Sequence, residues 1–253
     1  MRTDLTTAKP TASQADIPGL LRQIAPMTAE EVVRWALERF GPRIVLASSF
    51  GAEDVVLIDL LMNIDRRARV ITLDTGRLHQ ETYNAIDAVR ERYGLVTEVF
   101  FPNADDVQQM VAEKGLNLFY HSIENRKRCC AVRKVEPLRR ALSGLDAWVT
   151  GIRRDQNVTR AGVEKLEWDD GNRLFKVNPL ADWSWDEVWK YIREHNVPYN
   201  ALHDRGFPSI GCAPCTRAVQ ADGDLRGGRW WWEHPETREC GLHNPAPGPQ
   251  PKT

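Results

Sequence analysis

No stretch of the 253-residue sequence approaches the roughly 20 apolar residues of a membrane-spanning helix, and its opening MRTDLTTAKPTASQADIPG lacks the apolar centre of a signal peptide. No charge of one sign predominates either: 34 Lys and Arg face 35 Asp and Glu, for a formal net charge of -1. That balance excludes a nucleic-acid binder or membrane-surface protein that relies on bulk positive charge. Internal repeats and coiled-coil heptads are missing, so one core of ordinary size is expected at this length. Cysteine is scarce and its count is odd, at five. Five thiols do not make a disulfide scaffold, and with no export signal the expected setting is soluble and cytoplasmic, where thiols point to metals or to chemistry.

What is present falls into a regular order. Residues 1–27 are polar and aperiodic and read as a flexible N-terminal arm. Thr28 and Glu31 have capping-box spacing and open a helix whose apolar face is Val32, Val33, Trp35, Ala36 and Phe40, stopped by Gly41-Pro42. Short apolar runs at 43–47, 69–73, 96–101 and 147–150 then alternate with helical patterns from about Glu53, His79 and Asp105, and with a further helical stretch containing Cys129 and Cys130. This alternation predicts an α/β fold with a doubly wound, mostly parallel sheet over 28–220, whose ligands would bind beyond the carboxyl ends of the strands. Runs at 163–168 and 173–177 flank Asp169-Asp170-Gly171-Asn172 and predict a hairpin, followed by a helix from Ser184 to about His195. Residues 221–253 read as a mobile C-terminal segment ending in a proline-rich tail.

The chemistry-bearing residues are grouped. Cysteines occur as Cys129-Cys130, as Cys212-Ala213-Pro214-Cys215, and as Cys240 alone. A C-x-x-C clip suits a metal or a redox pair. Adjacent cysteines diverge by about 100° on a helix and reach one small ion with difficulty, so two pairs suggest a cubic iron–sulfur cluster more than tetrahedral zinc. Arg126, Lys127, Arg128, Arg133, Lys134, Arg139 and Arg140 surround the first pair against Glu136 alone, as suits anions but also a solvated helix face. If that stretch is helical, Lys134 shares a face with Cys130. Ser48-Ser49-Phe50-Gly51 sits at a strand-to-helix turn where an anion would be received, though such turns also use serine for ordinary capping. Leu73-Asp74-Thr75-Gly76 ends the next strand, and Gly151 with Arg153, Arg154 and Arg160 follows the fourth; these arginines are either oxyanion ligands or surface charge. Cys240 has polar neighbours and His243 three residues on, which favours a reactive thiol. Trp230-Trp231-Trp232 reads as a packing anchor, and His121, His195, His203 and His234 have no ligand spacing.

Taken together, SSFGAED at 48–54, LDTGRLH at 73–79, CCAVRKVEPL at 129–138, GIRRDQ at 151–156, GCAPCTR at 211–217, GRWWWE at 228–233 and ECGLH at 239–243 resemble the assimilatory sulfonucleotide reductases, and within them the iron–sulfur branch that typically acts on adenosine 5'-phosphosulfate (APS). The resemblance implies an adenine-nucleotide α-hydrolase-like fold and a thioredoxin-dependent oxidoreductase of sulfate assimilation, releasing sulfite and AMP through a cysteine S-sulfonate. It implies one 4Fe–4S cluster on Cys129, Cys130, Cys212 and Cys215, and Cys240 as nucleophile. It also implies substrate contacts from Ser48, Ser49, Phe50, Gly51, Leu73, Thr75, Gly76, Lys134, Gly151, Arg160, Arg226, Arg229 and His243. Asn157 departs from the serine frequent in the family, and the chain runs ten residues past His243. The alternatives are a reductase of the 3'-phosphorylated nucleotide (PAPS) or of both nucleotides, and a non-enzymatic iron–sulfur or zinc redox sensor. A tRNA-modifying relative is disfavoured by the neutral charge and the lack of a basic accessory domain. No nucleic-acid or membrane partner is expected, and homo-oligomerisation is left open.

Overall fold

The computed structural model describes residues 17–157, 160–219, 224–234, 237–238 and 241–242. Its centre is a six-stranded sheet in the order β3-β2-β1-β4-β6-β5. The strands are β1 (Ile44–Ala47), β2 (Val70–Leu73), β3 (Glu98–Phe100), β4 (Ala147–Val149), β5 (Leu166–Asp169) and β6 (Leu174–Val177). All pairings are parallel except β5 with β6, where Leu166 faces Val177 and Asp169 faces Leu174.

The period of two along each strand sends alternate residues to opposite faces, and both faces are covered. Ile44, Leu46, Val70, Val149, Phe175 and Val177 join a large cluster with α2 (Ala29–Phe40), α3 (Ala52–Ile64) and α8 (Trp185–Glu194). Val45, Ile71, Trp148 and Leu174 join a smaller one with Leu138, Ala141 and Leu142 of α7 (Glu136–Leu142). Buried on nearly every side, α3 carries its polar exceptions where partners wait. Asp59 accepts hydrogen bonds from Tyr93, Tyr191 and Asn63. Capping boxes at Thr28–Glu31 and Ser184–Glu187 fix the starts of α2 and α8.

From β1 the chain runs through α3 to β2, through α4 (Gln80–Tyr93) to β3, and back by way of α5 (Ala104–Lys114), α6 (Ile123–Cys130), a π turn at Ala131–Val135 and α7 to β4 on the other side of β1. The strand order therefore reverses between β1 and β4, and the loops leaving these two strands open a crevice at their carboxyl ends.

One sequence expectation changes. Residues Ile17–Ile24, placed in the N-terminal arm, form helix α1; Ile17, Leu20, Leu21 and Ile24 lie at helical spacing and pack on the main core, a pattern only eight residues long and easily missed. The predicted hairpin is present, and its β6 joins the main sheet beside β4, with Leu174, Phe175, Lys176 and Val177 all buried. Among the described residues, no helix is long and apolar enough to cross a membrane.

Candidate active site

Where β1 ends, Ser48 Oγ accepts the Phe50 N–H at 3.0 Å, and Asp54 in the first turn of α3 accepts both the Ser49 N–H at 2.5 Å and the Ser49 hydroxyl at 2.8 Å. The loop is thus tied to its own helix, with Phe50 held at φ 57, a conformation costly for a residue with a side chain. After β2, Gly76 takes φ 69 and donates to Asp74, while Arg133 from the π turn donates to the Thr75 carbonyl. After β4, Gly151 passes so close to α3 that a Cβ would stand 2.4 Å from Asp54 Oδ1 and 2.9 Å from Glu53 Cβ. Only glycine allows the two loops to meet there.

These loops wall a cleft enclosing about 1360 Å³ out to its open mouth. Ser48, Ser49, Gly51, Leu73, Thr75 and Gly151 line it together with the cations Lys134, Arg160, Arg226 and Arg229. Phe50 does not, since its ring is fully buried in the core below the loop, and Gly76 sits behind the wall against Arg133. Leu242 lines the cleft and packs near Leu138, and Gly241 lies near Val135 at φ 83. Cys240 and His243 lie outside the described residues.

A second, small cavity adjoins, lined by Cys129, Cys130, Cys212 and Cys215 with Arg77, Arg126, Arg133, Lys134, Arg229 and Trp230. Lys134 and Arg229 belong to both walls. The four thiols are not in disulfides. Among the described residues, no group of three or more His, Cys, Asp or Glu side chains is arranged to hold a metal ion. Burial pushes Cys215 up to about 12 and raises Cys129, which Arg133 opposes. Burial would raise Cys212 too, but Lys134, the Thr75 hydroxyl at 3.3 Å, Arg229 and Arg133 together bring it below the ordinary thiol value.

The basic run around the first cysteine pair divides. Arg126, Arg133 and Lys134 face the cavities, whereas Arg128 and Arg139 pair with Glu113 and Glu136 and Arg140 donates to the Phe101 carbonyl. The segment after Cys130 is a π turn and not a regular helix, and Lys134 still faces the same small cavity as Cys130, as its four-residue spacing implied. Arg126 is fully buried, pairs with Glu233 at 2.8 Å and stacks on Trp230. The segment carrying Trp230 folds back on the C-x-x-C clip through Trp230 N–H to Cys215 O and Arg217 N–H to Gly228 O.

Of the arginines after β4, Arg153 is not an anion ligand in waiting: its side chain is 0% exposed and bonded to Glu53. Arg154 turns outward to Asp182, Glu164 and the Val163 carbonyl. Several wall residues were not singled out individually from the sequence, among them Glu53, Asp54, Gln156 and His203. Glu53 and Asp54 sit inside the SSFGAED motif and Gln156 inside GIRRDQ, so position in a motif was the available signal. His203 had none; it lines the cleft between Trp185 and Trp189, and burial lowers its pKa. Burial also raises Asp54 to about 6, against the opposing hydrogen bonds from Ser49.

The parallel sheet, the crevice at its reversal and the cationic cleft define an α/β protein built to receive an anionic ligand, and residues 43–218 match the phosphoadenosine phosphosulfate reductase domain, the family to which the chain belongs. An adenosine 5'-phosphosulfate reductase from Allochromatium vinosum is 55% identical over 200 residues, spanning 79% of this chain and 78% of that one. A crystal structure of the phosphoadenylyl-sulfate reductase of Candida auris, a phosphate complex, superposes with a TM-score of 0.71 at 27% identity, over 84% of this chain and all of the other. An NH3-dependent NAD synthetase from Campylobacter jejuni shares the fold alone, with a TM-score of 0.50 at 8% identity over 75% of this chain and 79% of its own. The fold is therefore adenine-nucleotide α-hydrolase-like, as the motifs implied.

Proposed function

We propose that the chain reduces APS to sulfite and AMP in sulfate assimilation, with thioredoxin as reductant. The observation that carries this reading is the cleft itself, lined by small and polar residues of the β1 and β4 loops together with the cations Lys134, Arg160, Arg226 and Arg229. The small residues admit a nucleotide, and the cations suit a phosphosulfate, whose departing phosphate and transferring sulfonate both carry negative charge. Cys240 is the nucleophile in this reading; the two residues after it lie beside Val135 and the cleft, which supports the assignment. Its thiolate attacks the sulfonate sulfur, the S–O bond to AMP breaks, and AMP leaves with the electron pair, giving a Cys240 S-sulfonate. A thioredoxin thiolate then attacks Cys240 Sγ, sulfite leaves with the electron pair, and thioredoxin's second thiol resolves the mixed disulfide. Both electrons come from the dithiol. His243 and the loops at 48–51 and 73–76 complete the substrate contacts.

Cys129, Cys130, Cys212 and Cys215 are read as the ligands of a 4Fe–4S cluster. Four thiols lining one cavity, two of them adjacent in sequence, are a donor set that would suit an iron–sulfur cluster. The surrounding Arg77, Arg126, Arg133, Lys134 and Arg229 would offset four thiolates. When bound, the cluster supplies fixed charge beside Lys134 and Arg229.

Anaerobically purified protein incubated with APS without thioredoxin should gain one sulfonate by intact mass, and the gain should vanish in Cys240→Ser. No adduct, or one that survives the substitution, would end this mechanism. Iron and acid-labile sulfide should be found in fresh protein, and zinc in their place would overturn the cluster assignment. The likeness to a PAPS reductase favours a second reading, and side-by-side turnover of APS and PAPS separates the two.

A further inference from the structure

Gln156 stands at the meeting of the two nucleotide loops with every hydrogen-bonding position of its amide in use. Its Nε2 donates to Glu53 Oε1 at 2.9 Å and to the Gly151 carbonyl at 3.1 Å. Its Oε1 accepts from the Arg153 N–H at 3.2 Å and from Arg160 Nη1 at 2.5 Å. A glutamine amide offers two donors and two acceptor sites, and here each meets the matching partner. The reverse orientation would set its NH2 against two N–H donors, so the side chain has one arrangement.

The frame behind Gln156 is rigid. Glu53 Oε1 also accepts from Arg153 Nε at 3.0 Å and Nη2 at 2.9 Å. The Arg153 guanidinium is fully buried, donates to the Trp183 carbonyl and lies 5.6 Å from the centre of the Trp185 ring. Gln156 is therefore pinned to α3 on one side and to the β4 loop on the other, and hands a fixed acceptor to Arg160, whose side chain borders the cleft.

We infer that Gln156 is a positioning residue that holds Arg160 toward the phosphosulfate and so sets affinity for the charged part of the substrate. The inference rests on the proposed function only in taking Arg160 as an anion ligand. A long guanidinium side chain oriented before binding loses less rotamer freedom when the anion arrives, which strengthens binding without adding a contact. Glu53 completes the relay by tying the anion arginine to the loop that receives the nucleotide.

The test uses the full-length holoenzyme. In Gln156→Met, which keeps side-chain length but removes the amide, KM for APS should rise about tenfold with kcat within about threefold. The dissociation constant for AMP should rise by a similar factor, while that for adenosine, which has no phosphate, and the thermal midpoint stay close to wild type. Arg160→Ala should weaken AMP at least as much, and the double variant should be no weaker than Arg160→Ala alone, because both changes remove one interaction. Additive losses in the double variant, or unchanged AMP affinity in Gln156→Met, would overturn the role of Gln156 while leaving Arg160 in the anion site. Unchanged AMP and APS affinity in Arg160→Ala would instead overturn the place of Arg160 in the proposed function.

Discussion

Gly211, one residue before the C-x-x-C clip, has room for nothing larger: a Cβ there would stand 2.5 Å from Arg229 Nη2 and 2.6 Å from its Cζ. The obstruction is the end of a side chain and not backbone, so Gly211→Ala should fold and displace Arg229, raising KM for APS about tenfold with a nearly unchanged thermal midpoint. Steady-state kinetics beside a melting curve checks this. Asp54 gives a pH prediction. Its folded pKa, about 6 through burial, lies above the ordinary 3.8, so the folded state binds the extra proton, and this group's contribution to stability is lost as pH rises from about 4 through 6. Each pH unit in that window is worth about 1.4 kcal/mol. Asp54→Asn should therefore gain stability relative to wild type between pH 4.5 and 7.5, as read by urea unfolding at the two values, and a difference that does not grow with pH would refute the assignment. At this scale the sequence was partly legible. Cysteine pairs and cationic motifs could be read directly, whereas the use of Arg153 in an ion pair and the bridging by Gln156 depend on partners about a hundred residues distant that no local pattern announces.

Among the elements, α6 and the segment after Gly228 are joined by the ion pair of Arg126 and Glu233, whose side chains are 0% and 2% exposed, with Arg126 also donating to the Thr237 carbonyl. Removing one partner strands the other charge in a dry site, so Arg126→Ala should cost about 3–5 kcal/mol in denaturant unfolding, far more than loss of the surface pair Arg34–Glu30. The helices and strands themselves were readable wherever caps and periodicity were strong, as at Thr28, Ser184 and the four apolar runs. The hairpin was recognisable from its turn residues, but its insertion beside β4 was not, because local turn chemistry says nothing of which distant strand β6 will meet. Likewise, nothing in CCAVRKV announces a π turn, since its residues are compatible with an ordinary helix.

For the whole molecule, the alternation of strands and helices was enough to expect ligands at the carboxyl ends of the strands, whereas the reversal between β1 and β4 depends on the order of strands in the sheet, which order along the chain does not fix. A nucleotide that bridges the loops of both strands should stabilise the entire fold. At one hundred times its dissociation constant, AMP should add about 2.7 kcal/mol and raise the thermal midpoint by about 5–10 °C, an effect Arg160→Ala should shrink. The absence of any shift would argue against nucleotide binding in the cleft. The cavity bounded by the four cysteines has a further consequence, which concerns the order of synthesis. Its two walls come from segments separated by about 80 residues, an interval of about 4–16 s on a translating ribosome. During that time Cys129 and Cys130 lack the Cys212–Cys215 wall of their cavity. Cys212 and Cys215 follow the last strand, which ends at Val177, so a metal centre that needs all four thiols can be completed only after every strand of the sheet has been synthesised.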